Sequence, residues 1–188
     1  MRDGSAVKEG RRAELVQAAF QIVARSGLEG LRLREVAEAV GIDHSTLHHH
    51  FATKQDLVSA VAEYTTRQFW STMPAAADPA AQLHGHLDAL RMLMTDRPDL
   101  FLVTAELDLR ARRDPQVQAL LHRFEGGWRE SLRDMVVRGA AAGVWAPGVG
   151  GDAAVELIIA AVKGTRLTPG AAAAAFDQLE RLIISRRC

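Results

Sequence analysis

Apolar residues recur at three- and four-residue intervals along nearly the whole chain, and that period restricts the fold to helices packed on helices. No run of alternating or β-branched residues bounded by turns interrupts it, so the fold class is all-α. From Arg11, the positions Leu15, Ala18, Ala19, Ile22 and Val23 form one stripe, and Gly27 follows where a left-handed cap residue would sit. Leu33, Val36, Ala37 and Val40 repeat the pattern in a short second helix ended by Gly41. Asp43 then offers a polar cap to a third helix, whose stripe is only Leu47 and Phe51. Thr53-Lys54-Gln55-Asp56 has the spacing of a capping box and opens a fourth helix, running to about residue 73.

The prolines of Met73-Pro74-Ala75-Ala76-Ala77-Asp78-Pro79 mark a linker, which divides the chain into an N-terminal domain of residues 1–55, a connecting helix at about 54–73, and a larger helical domain at 75–188. In the larger part, Leu83, Leu87, Leu90, Leu93 and Met94 mark a helix ending before Pro98, and Leu100, Val103, Leu107 and Leu109 another ending before Asp114-Pro115. A long helix holds Val117 to Val136, and two more follow at about 152–167 and 171–186.

Charge excludes some classes of function. Lys and Arg number 23 against 23 Asp and Glu, so the molecule as a whole has no polyelectrolyte signature and any nucleic-acid site must be local. The single cysteine, Cys188, leaves no internal disulfide, thiolate cluster or cysteine nucleophile and suits a reducing cytoplasm. No run of about 18 apolar residues argues for a membrane span, and the N-terminus lacks the apolar stretch of a signal peptide. Gly148-Val149-Gly150-Gly151 has the wrong spacing for a dinucleotide fingerprint, and no nucleophile elbow, His-Glu-x-x-His or phosphate-gripping Gly-Lys-Ser occurs, so no catalytic residue, cofactor or enzymatic activity is expected.

The chemistry concentrates in Gly41-Ile42-Asp43-His44-Ser45-Thr46-Leu47-His48-His49-His50-Phe51. Two short helices joined by a tight glycine turn, with a third in support, make a helix-turn-helix, whose second helix enters the major groove. At about 100° per residue, Leu47 and Phe51 point inward while Ser45, Thr46 and His49 point outward, and His48 and His50 flank the seam. Consecutive histidines diverge too far to converge on one metal. His44 and His48 have the four-residue spacing of a metal pair, but no third ligand stands at a matching position, so no metal is expected.

The order Gly27, Leu33-Arg34-Glu35-Val36-Ala37, Gly41-Ile42, Thr46-Leu47, His50-Phe51 and Lys54 resembles the DNA-binding domain of TetR-family transcriptional repressors, over about 50 residues. The resemblance implies a homodimer that binds a palindromic double-stranded operator, and a helical C-terminal domain for ligand binding and dimerisation. It also implies release by a small hydrophobic or amphipathic inducer. Control by a protein partner, or without any inducer, is the alternative. His48 stands where the family usually has a tyrosine against the operator backbone, and Arg32 where it has a capping threonine; both can donate to phosphate. Asp43 stands at the family's capping serine and is expected to cap. Lys54, at the start of helix four, suits a phosphate, and Arg34 matches a position that can reach a base edge, where arginine can bind guanine through two hydrogen bonds. The expected DNA-binding residues are therefore Arg32, Arg34, Ser45, Thr46, His48, His49, His50 and Lys54.

Residues 1–56 hold eight basic and eight acidic side chains, so attraction to DNA depends on placement. Arg11, Arg12, Arg32, Arg34 and Lys54 must share a face while Glu14, Glu35 and Glu38 lie elsewhere or pair with them. In the C-terminal half the resemblance points to His84, Arg91, Met92 and Trp128 as pocket residues. It also points to the last two helices as the twofold contact, through Leu157, Ala161, Phe176, Leu179 and Ile183.

Overall fold

The computed structural model describes residues 3–185; Arg2 and Cys188 lie outside them. Among the described residues the chain is helical throughout: α1 Asp3–Gly30, α2 Leu33–Val40, α3 His44–His48, α4 Lys54–Arg67, α5 Pro79–Asp96, α6 Pro98–Ala111, α7 Pro115–Ala141, α8 Gly151–Leu167 and α9 Ala172–Ile183. The only β feature among them is an isolated antiparallel bridge between Trp145 and Ile184. The all-α expectation holds.

The first compact unit contains the chain up to Gln68 together with Leu102–Leu121. Its core is the stripe read from the sequence: Leu15, Ala19, Ile22 and Val23 of α1, Val36 and Ala37 of α2, Leu47 of α3, and Leu57, Val58 and Val61 of α4. Phe20 meets Tyr64 edge to face at 5.3 Å between ring centroids. Helix α1 begins at Asp3 rather than Arg11; Val7 to Gly10 are exposed and present no buried stripe for periodicity to detect.

Gly27 breaks α1 with φ 67° and ψ 174°, a conformation that side-chain-bearing residues rarely adopt. A Cβ there would also stand 3.2 Å from Oε2 of Glu106 on α6. That carboxylate accepts the Leu28 N–H at 3.1 Å, so the amide freed by the kink is satisfied by a side chain 78 residues away.

Helix α4 stops at Arg67, short of residue 73. The Thr65 and Thr66 hydroxyls donate to the carbonyls of Val61 and Ala62 at 2.7 and 2.8 Å, competing with the helical ladder. The chain then tightens, with the Gln68 N–H donating to the Thr65 carbonyl and a single 3₁₀ turn at Trp70–Thr72.

The second unit holds Phe69–Phe101 and the chain from His122 onward. Asp78 caps α5 by accepting the N–H groups of Ala80 and Ala81, with Pro79 in the first turn, where its missing N–H costs nothing. Leu83, Leu87 and Leu90 of α5, Leu132, Met135 and Val136 of α7, Val155, Ile158 and Val162 of α8, and Phe176, Leu179 and Ile183 of α9 are all buried. Arg129–Glu156 and Arg133–Asp152, each at 2.8 Å, and Lys163–Glu125 link α7 to α8.

Three of the five residues expected at a twofold contact lie in the interior of this unit. Phe176, Leu179 and Ile183 are covered by their own chain, because α9 packs on both α8 and α5. Arg91–Asp177 at 2.6 Å and His84–Glu180 at 2.9 Å close the rim of that packing. Leu157 keeps 50% of its surface exposed, and Ala161 is half-buried.

Candidate nucleic-acid interface

The turn between α2 and α3 follows from Gly41, whose φ of 72° and ψ of 35° are left-handed. The Ile42 N–H donates to Ala37 O at 3.0 Å and the Gly41 N–H to Glu38 O at 3.1 Å, the paired bonds that close a helix and redirect the chain. Buried Leu47 and Phe51 then anchor α3 against the core, and the guanidinium of Arg12 lies 4.7 Å from the Phe51 ring centroid. With that face fixed, Ser45, His48 and His49 are exposed, and Thr46 and His50 are half-buried. Asp43 occupies the N-cap position of α3, but its side chain makes no capping bond, so the capping role expected of it is not realised.

A basic neighbourhood surrounds the C-terminal end of α3. The pKa of His50 is lowered, first by burial and then by the positive charges of Lys8, His49, Arg11 and Arg12. Lys8 did not figure among the residues expected to face DNA. The signal that could have found it is the continuation of α1 toward the N-terminus, which brings Lys8 one turn before Arg11 and Arg12.

Each of the three acidic residues that had to be neutralised is paired: Glu14 with Arg11 at 2.7 Å, Glu35 with Arg25 at 3.6 Å and Glu38 with Arg34 at 2.9 Å. Arg34 remains well exposed. Arg32, at the N-cap of α2, donates to the carbonyls of Glu29 and Leu31, the latter at 3.2 Å.

Lys54 opens α4 directly after Thr53, where the capping box is complete: the Asp56 N–H donates to Thr53 Oγ1 at 3.1 Å and the Thr53 N–H to Asp56 Oδ2 at 2.9 Å. Its ammonium donates to Leu28 O at 3.1 Å. Partial burial, and then the charges of Arg32 and Arg110, lower its pKa, with Glu29 opposing. Next to it, the Gln55 side chain receives a long hydrogen bond from Arg110 at 3.4 Å, and Arg110 also pairs with Asp114 at 3.0 Å. Glu106 and Arg110, one turn apart on α6, therefore hold Leu28 and Gln55, the neighbours of Lys54 in space and in sequence.

The expected pocket residues do not form one group. His84 is exposed, bridging Asp88 at 3.0 Å and Glu180 at 2.9 Å, and Met92 is 66% exposed. Arg91 is engaged with Asp88 and Asp177 at the rim of α9. Trp128 alone faces inward, where its indole N–H donates to Nε2 of buried His86 at 3.1 Å. Nδ1 of His86 donates to Thr72 O at 3.0 Å, so both ring nitrogens are used by a neutral imidazole, whose pKa is lowered by burial against the smaller opposing effect of that carbonyl. Spacing separates surface histidines from core ones poorly: His84 and His86 lie two residues apart on one helix, and only packing distinguishes them.

A model of bacterial regulatory proteins of the tetR family matches residues 15–61, which contain α2, α3 and the capping box. The chain is 27% identical over 127 residues to the HTH-type transcriptional regulator CymR of Pseudomonas putida, covering 65% of this chain and 61% of that protein. It is 37% identical over 59 residues to the HTH-type transcriptional repressor KstR2 of Rhodococcus jostii (strain RHA1), covering 31% of this chain and 29% of that one. The chain thus spans less than two thirds of the length of these relatives. Among solved structures, a transcriptional regulator from Saccharomonospora viridis in complex with choline is similar in fold, with a TM-score of 0.78 at 18% identity over 95% of this chain and 100% of that one.

Proposed function

We propose that this chain, which matches the tetR-family model over residues 15–61, is a DNA-binding transcriptional regulator of that family, that it represses transcription as a homodimer on a palindromic operator, and that it leaves the operator when a small hydrophobic or amphipathic inducer binds. The observation that carries the DNA-facing part is the outward face of α3, Ser45, Thr46 and His49, fixed by buried Leu47 and Phe51 beside the charges of Lys8, Arg11 and Arg12. His48, His50, Arg32 and Lys54 serve the phosphates in this reading, and Arg34, on leaving Glu38, a base edge. Residues 1–55 carry the DNA-binding domain and residues 75–188 the ligand-binding and dimerisation domain.

Inducer control finds support in α6, whose Glu106 and Arg110 hold Leu28 and Gln55 on either side of Lys54. A shift of this helix on ligand binding would disturb the residues that face phosphate, and the similar fold of a choline complex fits a small-molecule effector. Dimerisation finds support in α8. Ala153, Leu157, Ala160, Gly164 and Leu167 are exposed at alternating spacings of four and three, the seam of a helix that packs on a partner helix. Ala160 and Gly164 let two such helices approach closely.

Selection of DNA from a random pool by the purified protein, followed by sequencing, tests the reading. A palindrome bound by two chains, with affinity that falls as salt rises, is the expected result. Recovery of non-palindromic sequence bound by one chain would refute the dimeric operator.

A further inference from the structure

We propose that His44 and His48 form a two-point binding site for a divalent transition cation of the class that favours imidazole, namely Ni²⁺, Cu²⁺ or Zn²⁺. The two residues stand four apart on α3, so their rings share one face. Their Nε2 atoms are 3.1 Å apart, with ring centroids at 4.6 Å and planes at 82°.

Nδ1 of His48 lies 3.3 Å from Ala52 O. A carbonyl can only accept, so in the neutral ring Nδ1 carries the hydrogen and Nε2 presents its lone pair toward His44. The same arrangement, one ring nitrogen on a carbonyl and the other on the ion, orients metal-binding histidines in general. An ion about 2.1 Å from each nitrogen would see the 3.1 Å separation at an angle of about 95°, close to that of square-planar or octahedral coordination.

Without the ion, His44 donates its Nε2 hydrogen to His48; on ion binding His44 takes its other neutral tautomer, with the hydrogen on Nδ1, and the ion occupies the place between the two Nε2 atoms. Both rings are exposed, so water fills the remaining positions. Among the described residues no cluster of three or more histidine, cysteine or carboxylate ligands occurs, which makes this a site that responds to added ion rather than one that folds around it. Among the described residues no oxygen cage surrounds it, so it does not suit Mg²⁺ or Ca²⁺.

An ion held there also withdraws His48 from phosphate. This consequence rests on the operator reading given above, whereas ion binding does not. The probe is Ni²⁺ alone, titrated calorimetrically into the full chain carrying Cys188→Ser, which removes the one thiol. One ion per chain is expected. His44→Ala and His48→Ala should each weaken binding by about tenfold or more, since the second nitrogen acts at high effective concentration. His122→Ala, on exposed α7 surface, should leave it unchanged. Equal Ni²⁺ affinity in the native, His44→Ala and His48→Ala proteins overturns the site. Ni²⁺ should lower operator affinity in the native protein and not in His44→Ala; chelation by the pair with unaltered operator affinity overturns the regulatory consequence and leaves the operator reading intact.

Discussion

Replacing Leu157 and Leu167 together by glutamate tests whether α8 is the twofold contact. Leu157 is 50% exposed and Leu167 73% exposed on the isolated chain, so a partner helix would cover roughly half of one side chain and three quarters of the other. Full burial of a leucine contributes about 1.5–3 kcal/mol. The two partial burials therefore supply about 2.5 kcal/mol per chain, and a twofold contact counts them twice, giving about 5 kcal/mol. That corresponds to between three and four decades in dimer Kd, before any charge repulsion across the axis is added. Sedimentation equilibrium at micromolar concentration should show the double variant as monomers with unchanged helical content by circular dichroism. Leu179→Glu is the contrasting case, because Leu179 is buried within its own chain and an unpaired charge there should unfold the second unit. If the Leu157→Glu, Leu167→Glu protein keeps a native dimer constant, α8 is not the interface.

Three further outcomes are expected. Lys54→Ala should weaken operator binding about equally for all sequences and reduce the salt slope by about one, whereas Arg34→Ala should change preference among operators, both read from binding titrations across salt and sequence. Glu106→Ala leaves the Leu28 N–H without its acceptor and should cost about 1–3 kcal/mol in urea unfolding, with Glu106→Gln recovering most of it; an unchanged midpoint for the alanine variant would mean that water replaces the carboxylate without loss. His86, whose folded pKa is lowered by burial, binds fewer protons in the folded state than in the unfolded chain. Its stabilising contribution should be full above about pH 6.5 and fall as pH drops below that toward the folded pKa, so the stability difference between native protein and His86→Gln, measured by thermal unfolding, should narrow on acidification through that window.

Local chemistry was legible in the sequence wherever a few neighbouring residues decide the structure. Gly41 and the capping box at Thr53–Asp56 act through bonds spanning five residues or fewer, and both stand as read. Helix ends set by competition were harder. The stop of α4 depends on threonine hydroxyls taking backbone carbonyls, and the start of α1 lies beyond Val7 to Gly10, which are exposed and carry no buried stripe. Periodicity reports burial, so it is silent where a helix is wholly exposed.

What covers an apolar face is hard to read from sequence for a related reason, and α9 shows why. Its moment places Phe176, Leu179 and Ile183 on one face, yet an apolar face says only that something covers it. Here α5 and α8 of the same chain do so, and the contact proposed for a second copy uses the sparser stripe of α8 that contains Ala160 and Gly164. The same limit governs the histidines. The sequence gives His44 and His48 a shared face, but the carbonyl of Ala52 is what fixes the hydrogen on His48 Nδ1 and turns two adjacent rings into a pair of donors aimed at one point. Spacing along a helix establishes which side chains can meet; the third group, supplied by the turn after the helix, establishes what they do when they meet.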